Sequence, residues 1–321
     1  MSAPAAPITD YNAFRKFRIP VRQARLVCQK LGLPRPERLL RLERGEVSAA
    51  FRLEFGQREP LILKAYVRPP GPQALKAQTR VMDWVQHRTS IPTPRWLYAG
   101  PADDMVPYPF VVMEYAAGED ADTLWDGMST GGKTRFVEAC ASILKKLHAT
   151  EAKEVFDGAP ADAGAWAASA GESFDGVLAQ LRQQGWMKPS LLKACADLWL
   201  GRQDALAAAG PLAFVHYDFQ PHNLRIDPDT QEILAVLDFD NAALAPPFTD
   251  ARDLVLNVFS KEPGLAAAFW QTYGELDARQ TAVLRLHCLS RMLGVMAAYW
   301  SPEPYGGTER LEELLHLAES P

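Results

Sequence analysis

This 321-residue chain has only four cysteines, Cys28, Cys140, Cys195 and Cys288, and no two of them form a C-x-x-C pair. Neither a zinc site nor a disulfide framework is indicated, and a reducing cytoplasm is the expected setting. No apolar run approaches the ~20 residues of a membrane span. The opening Met-Ser-Ala-Pro-Ala-Ala-Pro lacks the charged and apolar regions of a signal peptide, so no leader is expected. No basic-aromatic cluster marks a nucleic-acid surface. There is no internal repeat. What the chain does have is ample apolar content, 48% of residues. Its length suggests about two domains.

The net charge of −5 hides an asymmetry. Residues 1–100 carry 18 Lys and Arg against 7 Asp and Glu, and the remainder carries 16 against 32. A basic first part suits a region that receives phosphates. An acidic second part suits a divalent cation and a cationic substrate, although solvated helix faces would give the same counts.

The order of elements points to an α+β protein. Residues 11–31 read as one amphipathic helix ended by Pro34 and Pro36. Short strands are expected at 39–43, 49–55 and 61–67, with turns at 44–46 and 56–59. A helix is expected at 73–88. The prolines of Ile91-Pro92-Thr93-Pro94 impose an extended segment. A buried strand is expected at 110–115, and the boundary between the two parts at 114–118. Beyond it the pattern is mostly helical, at 133–148, 173–185, 189–208, 251–259, 264–277, 278–299 and 308–318. Residues 157–172, rich in Ala, Gly and Asp, read as a loop.

The chemistry is concentrated in His216-Tyr217-Asp218-Phe219-Gln220-Pro221-His222-Asn223 and, fifteen residues later, Asp238-Phe239-Asp240. Apolar runs at 212–215 and 233–237 lead into the two pieces, and Pro228-Asp229-Thr230 marks a turn between them. Two strands joined by that turn would gather Asp218, Asn223 and Asp238. Phosphoryl transfer needs such a set, one carboxylate at the acceptor hydroxyl and an amide plus a second carboxylate for magnesium.

The H-x-D-x-x-x-x-N run followed by D-F-D resembles the protein-kinase-like fold, most closely its branch of aminoglycoside phosphotransferases and related small-molecule kinases. The resemblance spans about residues 39–255. It implies a bilobal protein, with an N-lobe (1–115) of antiparallel sheet and helix that binds nucleotide. The mostly helical C-lobe (116–321) would carry the catalytic loop and the substrate site. It implies Asp218 as catalytic base, Asn223 and Asp238 as magnesium ligands, and ATP with Mg2+ as cofactors. His216 joins Asp218 in the catalytic loop, where a bracing backbone bond is favoured over proton transfer. Asp240 would add a second carboxylate or cap the turn.

On the nucleotide side, the resemblance places a phosphate-covering loop at 44–50, with Gly45 its single glycine and Ser48 a candidate phosphate donor. Lys64 stands where the family keeps the lysine of the α- and β-phosphates. A solvent-facing edge lysine is the plainer alternative. The family's glutamate partner is replaced by Gln78, since no acid lies between Glu59 and Asp83. Residues Glu114, Tyr115 and Ala116 match the hinge that bonds adenine through its backbone.

Position 220 is Gln where protein kinases carry Lys. Only nine residues lie between Asp240 and Asp250, too few for a peptide-docking activation segment. A small-molecule hydroxyl is therefore the expected acceptor, without nucleic-acid or membrane partners. Asp250 or Asp253 would support the catalytic loop. Asp240, Glu303, Glu309, Glu312 and Glu313 are candidate substrate contacts that read more readily as surface charges, and Tyr299, Trp270 and Trp300 are candidate pocket residues that read more readily as core. The alternatives are a nucleotide-binding pseudokinase, suggested by Gln78, and a protein-directed kinase of stress-response type.

Overall fold

The computed structural model describes residues 6–42, 48–68, 72–299, 301, 303 and 307–319. The chain divides into two compact units, Met1–Gly118 with Leu234–Asp240, and Glu119–Ile233 with Asn241–Pro321.

The first unit begins with two helices, α1 (Tyr11–Lys16) and α2 (Val21–Lys30), where the sequence pattern predicts one. The break is at Pro20, which has no N–H and whose ring would collide with a preceding helical carbonyl. Asp10 caps α1 by accepting the Ala13 N–H at 2.7 Å. The register of α2 buries Ala24, Val27 and Cys28, leaving Val21 and Leu26 exposed.

The sheet follows, with β1 (Arg38–Arg41), β2 (Ala49–Glu54) and β3 (Leu61–Ala65), then α3 (Pro72–Arg88), β4 (Trp96–Gly100) and β5 (Phe110–Glu114). The spatial order is β1-β2-β3-β5-β4, antiparallel throughout. Strand β3 is central and buried at every position, which explains its unbroken apolar run. Strand β2 alternates, burying Phe51 and Leu53. Phe14, Val27, Phe51, Leu53, Leu63 and Phe110 meet in one core. Strand β4 has no sequence signature because, at the edge, four of its residues are half-buried. The turn 44–46 and residue Glu43 lie outside the described residues.

The second unit opens with β6 (Glu119–Asp120), α4 (Ala121–Leu124) and α5 (Thr130–His148). Next comes α6 (Ala163–Gln184), which corrects the loop expected over 157–172. An alanine-rich stretch shows little apolar periodicity, yet alanine is the strongest helix former. Asp162 caps this helix by accepting the Ala165 N–H at 2.9 Å, and Gly185 closes it at φ +73°. The span 189–208 forms two helices, α7 (Pro189–Leu200) and α8 (Gln203–Ala207), interrupted at Gly201-Arg202.

The strands β7 (Ala213–Val215), β8 (Leu224–Ile226), β9 (Ile233–Val236) and β10 (Ala243–Ala245) precede α9 (Arg252–Leu254), α10 (Gly264–Tyr273), α11 (Ala278–Tyr299) and α12 (Gly307–Glu319). The hairpin expected between 212–215 and 233–237 is not formed. β7 pairs with β10, Val215 opposite Ala243, and the unanticipated β8 pairs with β6. The 212–215 strand therefore finds its partner downstream of the D-F-D motif. Among the described residues, no helix is long and apolar enough to cross a membrane.

Candidate functional site

In the second unit, β7 delivers the chain into the 216–223 loop. Tyr217 takes φ +62°, a left-handed conformation costly for a bulky side chain. Such strain persists only where the surroundings over-determine it, and here both flanking peptides are held. Asp250 accepts the N–H groups of His216 at 2.7 Å and Tyr217 at 2.6 Å. Arg252 donates to the Tyr217 carbonyl at 2.5 Å and lies 4.2 Å from the centre of its ring. His148, from the end of α5, adds a third contact to Asp250 at 3.1 Å. Burial pushes the Asp250 carboxyl up, but the His148 and His216 contacts outweigh it and hold the group below its ordinary value. The choice between Asp250 and Asp253 as backbone support therefore falls to Asp250.

The buried His216 accepts the Asp218 N–H on Nδ1 at 3.2 Å. The Asp218 carboxylate then gathers three donors. Gln220 Nε2 reaches Oδ1 at 2.6 Å, Arg291 Nη2 reaches Oδ1 at 2.9 Å, and Asn223 Nδ2 reaches Oδ2 at 3.0 Å. Asn223 Nδ2 also bonds the Asp218 carbonyl at 2.9 Å. With its amide nitrogen committed to Asp218, Asn223 has Oδ1 left, a hard oxygen of the kind magnesium takes. His222 is exposed. Sequence reasoning missed Arg291, for nothing in the pattern of α11 distinguishes it from other helical arginines.

In the first unit, Lys64 sits opposite Ala50 and Val111 on the central strand with only 8% of its surface exposed. A solvent-facing lysine is thereby excluded. Its ammonium donates to Asp238 Oδ1 at 2.9 Å and Asp240 Oδ2 at 2.8 Å. Burial works against the charged amine, but the two carboxylates more than compensate and hold its pKa well above the ordinary lysine value. The Asp240 carboxyl is raised, chiefly by burial and then by Asp238 beside it, with Lys64 opposing. Asp238 takes φ +63°, tolerable for aspartate, and keeps its side chain 42% exposed.

The Lys64 ammonium does not engage Gln78, which is buried on α3 with its Oε1 lacking any hydrogen-bond partner. Ser48 is buried at the entry to β2. Gly45 lies outside the described residues. Glu114 ends β5, donating its N–H to the Arg95 carbonyl at 2.9 Å and pairing its carboxylate with Arg95 at 3.0 Å. Tyr115 carries the Arg52 guanidinium 4.5 Å from its ring centre, and half-buried Ala116 follows.

The acids considered as substrate contacts are dispersed. Glu303, Glu309, Glu312 and Glu313 are exposed, Glu313 pairing with Arg310. Trp270 packs against the helical core and Tyr299 is 51% exposed, while Trp300 lies outside the described residues. Among the described residues, no group of three His, Cys, Asp or Glu is arranged to hold a metal by itself.

Residues 38–286 match the family model described as the phosphotransferase enzyme family. A curated mouse protein, acyl-CoA dehydrogenase family member 10, is 23% identical over 227 residues, covering 67% of this chain but only 20% of that protein. Among solved structures, APH(2")-IIia in complex with GDP and kanamycin superposes with a TM-score of 0.71 at 13% identity, covering 94% of this chain and 99% of that one. A thermostable mutant of aminoglycoside phosphotransferase APH(4)-Ia, with ADP and hygromycin B, gives 0.69 at 15% identity, covering 92% and 98%. These likenesses establish the kinase-like fold. With the family model covering most of its length, this chain belongs to the phosphotransferase enzyme family.

Proposed function

We infer that this protein transfers the γ-phosphoryl group of ATP, with magnesium, to a hydroxyl of a small molecule, either a metabolite or an aminoglycoside-like antibiotic. The observation that carries this reading is the Asp218 carboxylate. It is oriented by three hydrogen bonds on a strained loop yet keeps a lone pair for one more donor. In the reaction Asp218 accepts, or orients, the acceptor's hydroxyl proton as oxygen attacks phosphorus. His216 braces the loop by its bond to the Asp218 N–H.

The donor set fits magnesium. Asn223 offers an amide oxygen and Asp238 a half-exposed carboxylate, both hard ligands. Bound magnesium supplies charge neutralisation at the β- and γ-phosphates. Lys64 would serve the α- and β-phosphates, Ser48 and Gly45 the phosphate-covering loop, and Glu114 to Ala116 the adenine edge. Nucleotide then belongs to residues 1–115 and substrate to 116–321, in a cytoplasmic protein. The four cysteines are all free and buried, which is compatible with a reducing compartment.

A binding-only role rested on Gln78 standing in for an acidic partner of Lys64. Lys64 has two carboxylate partners, so its anchoring does not depend on position 78. The test is ATP consumption with magnesium across a panel of hydroxylated metabolites and aminoglycosides, wild type beside Asp218→Asn. A compound should stimulate turnover in wild type alone, with Asp218→Asn lower by about 10²- to 10⁴-fold. Equal turnover in the two proteins would sink the assignment of Asp218.

A further inference from the structure

The geometry points to Arg291 as a positioning residue that fixes which oxygen of Asp218 meets the acceptor hydroxyl. The inference rests on the reading of Asp218 as the base. Arg291 lies on α11, beyond residue 286 where the family match ends. Its guanidinium bridges two carboxylates, donating from Nη2 to Asp218 Oδ1 at 2.9 Å and from Nε to Asp253 Oδ1 at 3.0 Å. Asp253 is fully buried, and its other oxygen takes Arg252 Nε at 3.2 Å. Arg252 in turn holds the Tyr217 carbonyl at 2.5 Å. The 216–223 loop is thus tied to α9 and α11 both at its strained peptide and at its carboxylate.

A carboxylate oxygen has two lone-pair sites. On Asp218, Gln220 and Arg291 fill both sites of Oδ1, whereas Asn223 fills one of Oδ2. The remaining acceptor site is therefore on Oδ2. Without Arg291, Oδ1 regains a site and the carboxylate loses one of the three contacts that orient it. A lysine restores this only in part, because an ammonium lacks the planar fork that reaches two carboxylates at once.

The test measures magnesium-dependent ATP turnover, with water as acceptor and with any stimulating compound from the panel, in wild type, Asp218→Asn, Arg291→Ala, Arg291→Lys and Asp253→Asn. Arg291→Ala should lower kcat by about 10²-fold, the scale of an ångström's misplacement, with KM for ATP unchanged. Millimolar guanidinium should restore part of that loss. Arg291→Lys should fall between wild type and Arg291→Ala. Asp253→Asn should lower kcat and add little to Arg291→Ala, since the two act through one contact.

Wild-type kcat in Arg291→Ala, alongside an inactive Asp218→Asn, would overturn this inference and leave the proposed function standing. So would a loss in Arg291→Ala that guanidinium does not restore and that a lowered melting temperature accompanies. Full activity in Asp218→Asn would instead overturn the reading of Asp218 as the base, on which this inference rests.

Discussion

Lys64 donates to Asp240 at 2.8 Å, two residues beyond the Asp238 to which it also donates. The lysine of the central strand is thus anchored by the D-F-D segment and not by helix α3. Replacing it with methionine leaves two neighbouring carboxylates without this cation, and like charges at short range repel. Lys64→Met should therefore melt at a lower temperature than wild type. Millimolar magnesium should raise the melting temperature of the variant more than that of wild type, because a bound cation replaces the missing charge. Thermal melts with and without magnesium check this, and equal magnesium responses would count against Asp238 and Asp240 forming a cation-binding pair.

Asp250 makes possible a backbone conformation that Tyr217 would otherwise avoid. Its two oxygens take the His216 and Tyr217 N–H groups and the His148 ring. Asn at this position offers one oxygen and turns an NH2 group toward N–H donors. Asp250→Asn should lose at least about 10²-fold in turnover, since the loop bearing Asp218 is no longer held in place. Buried N–H groups left without an acceptor should also destabilise the protein by about 1–3 kcal/mol each. Turnover and urea midpoints measure both effects, and a variant with wild-type turnover would show that the loop keeps its shape without this anchor.

His287 gives the protein a dependence on pH distinct from that of its chemistry. The ring is buried, stacked on Trp166 with centroids 5.0 Å apart, and its Nε2 has no hydrogen-bond partner. Burial first, and then the Arg252 charge, lower its pKa from 6.5 to about 3. Below pH 6.5 the unfolded chain binds a proton that the folded ring refuses, so stability falls as pH falls toward 3. The loss approaches about 1.4 kcal/mol per pH unit. His287→Gln should flatten this acid limb while leaving the trend above pH 7 unchanged. Urea midpoints at pH 7, 6, 5 and 4 decide it, and parallel curves for the two proteins would show that His287 does not carry the effect.

Legibility in the sequence followed the range of the interactions. Strand β3 and the alternation of β2 were readable because burial on two faces or one leaves a direct imprint on residue order. Asp218, Asn223 and Asp238 stood out by the spacing of their motif and Lys64 as a lysine in an apolar strand, and the structure brings Asn223 to Asp218 and Lys64 to Asp238. The helix α6 was misread over its first turns, where alanine supplies propensity without pattern, and the break at Pro20 was overlooked within an otherwise helical period. Each of these errors concerns local sequence and could be corrected from it.

The pairing of β7 with β10, the exchange of Gln78 for Asp240 as partner of Lys64, and the bridge from Arg291 to Asp218 are of a different kind. Each joins positions from 28 to 176 residues apart in the sequence. By itself the sequence determined the central strands, most of the helices, and which residue types gather at 216–223 and 238–240. Only the tertiary structure decided which charge answers which. A hydrogen-bonding partner is chosen by distance and direction in space, and a single arginine on a long helix bears no mark of the carboxylate it will meet.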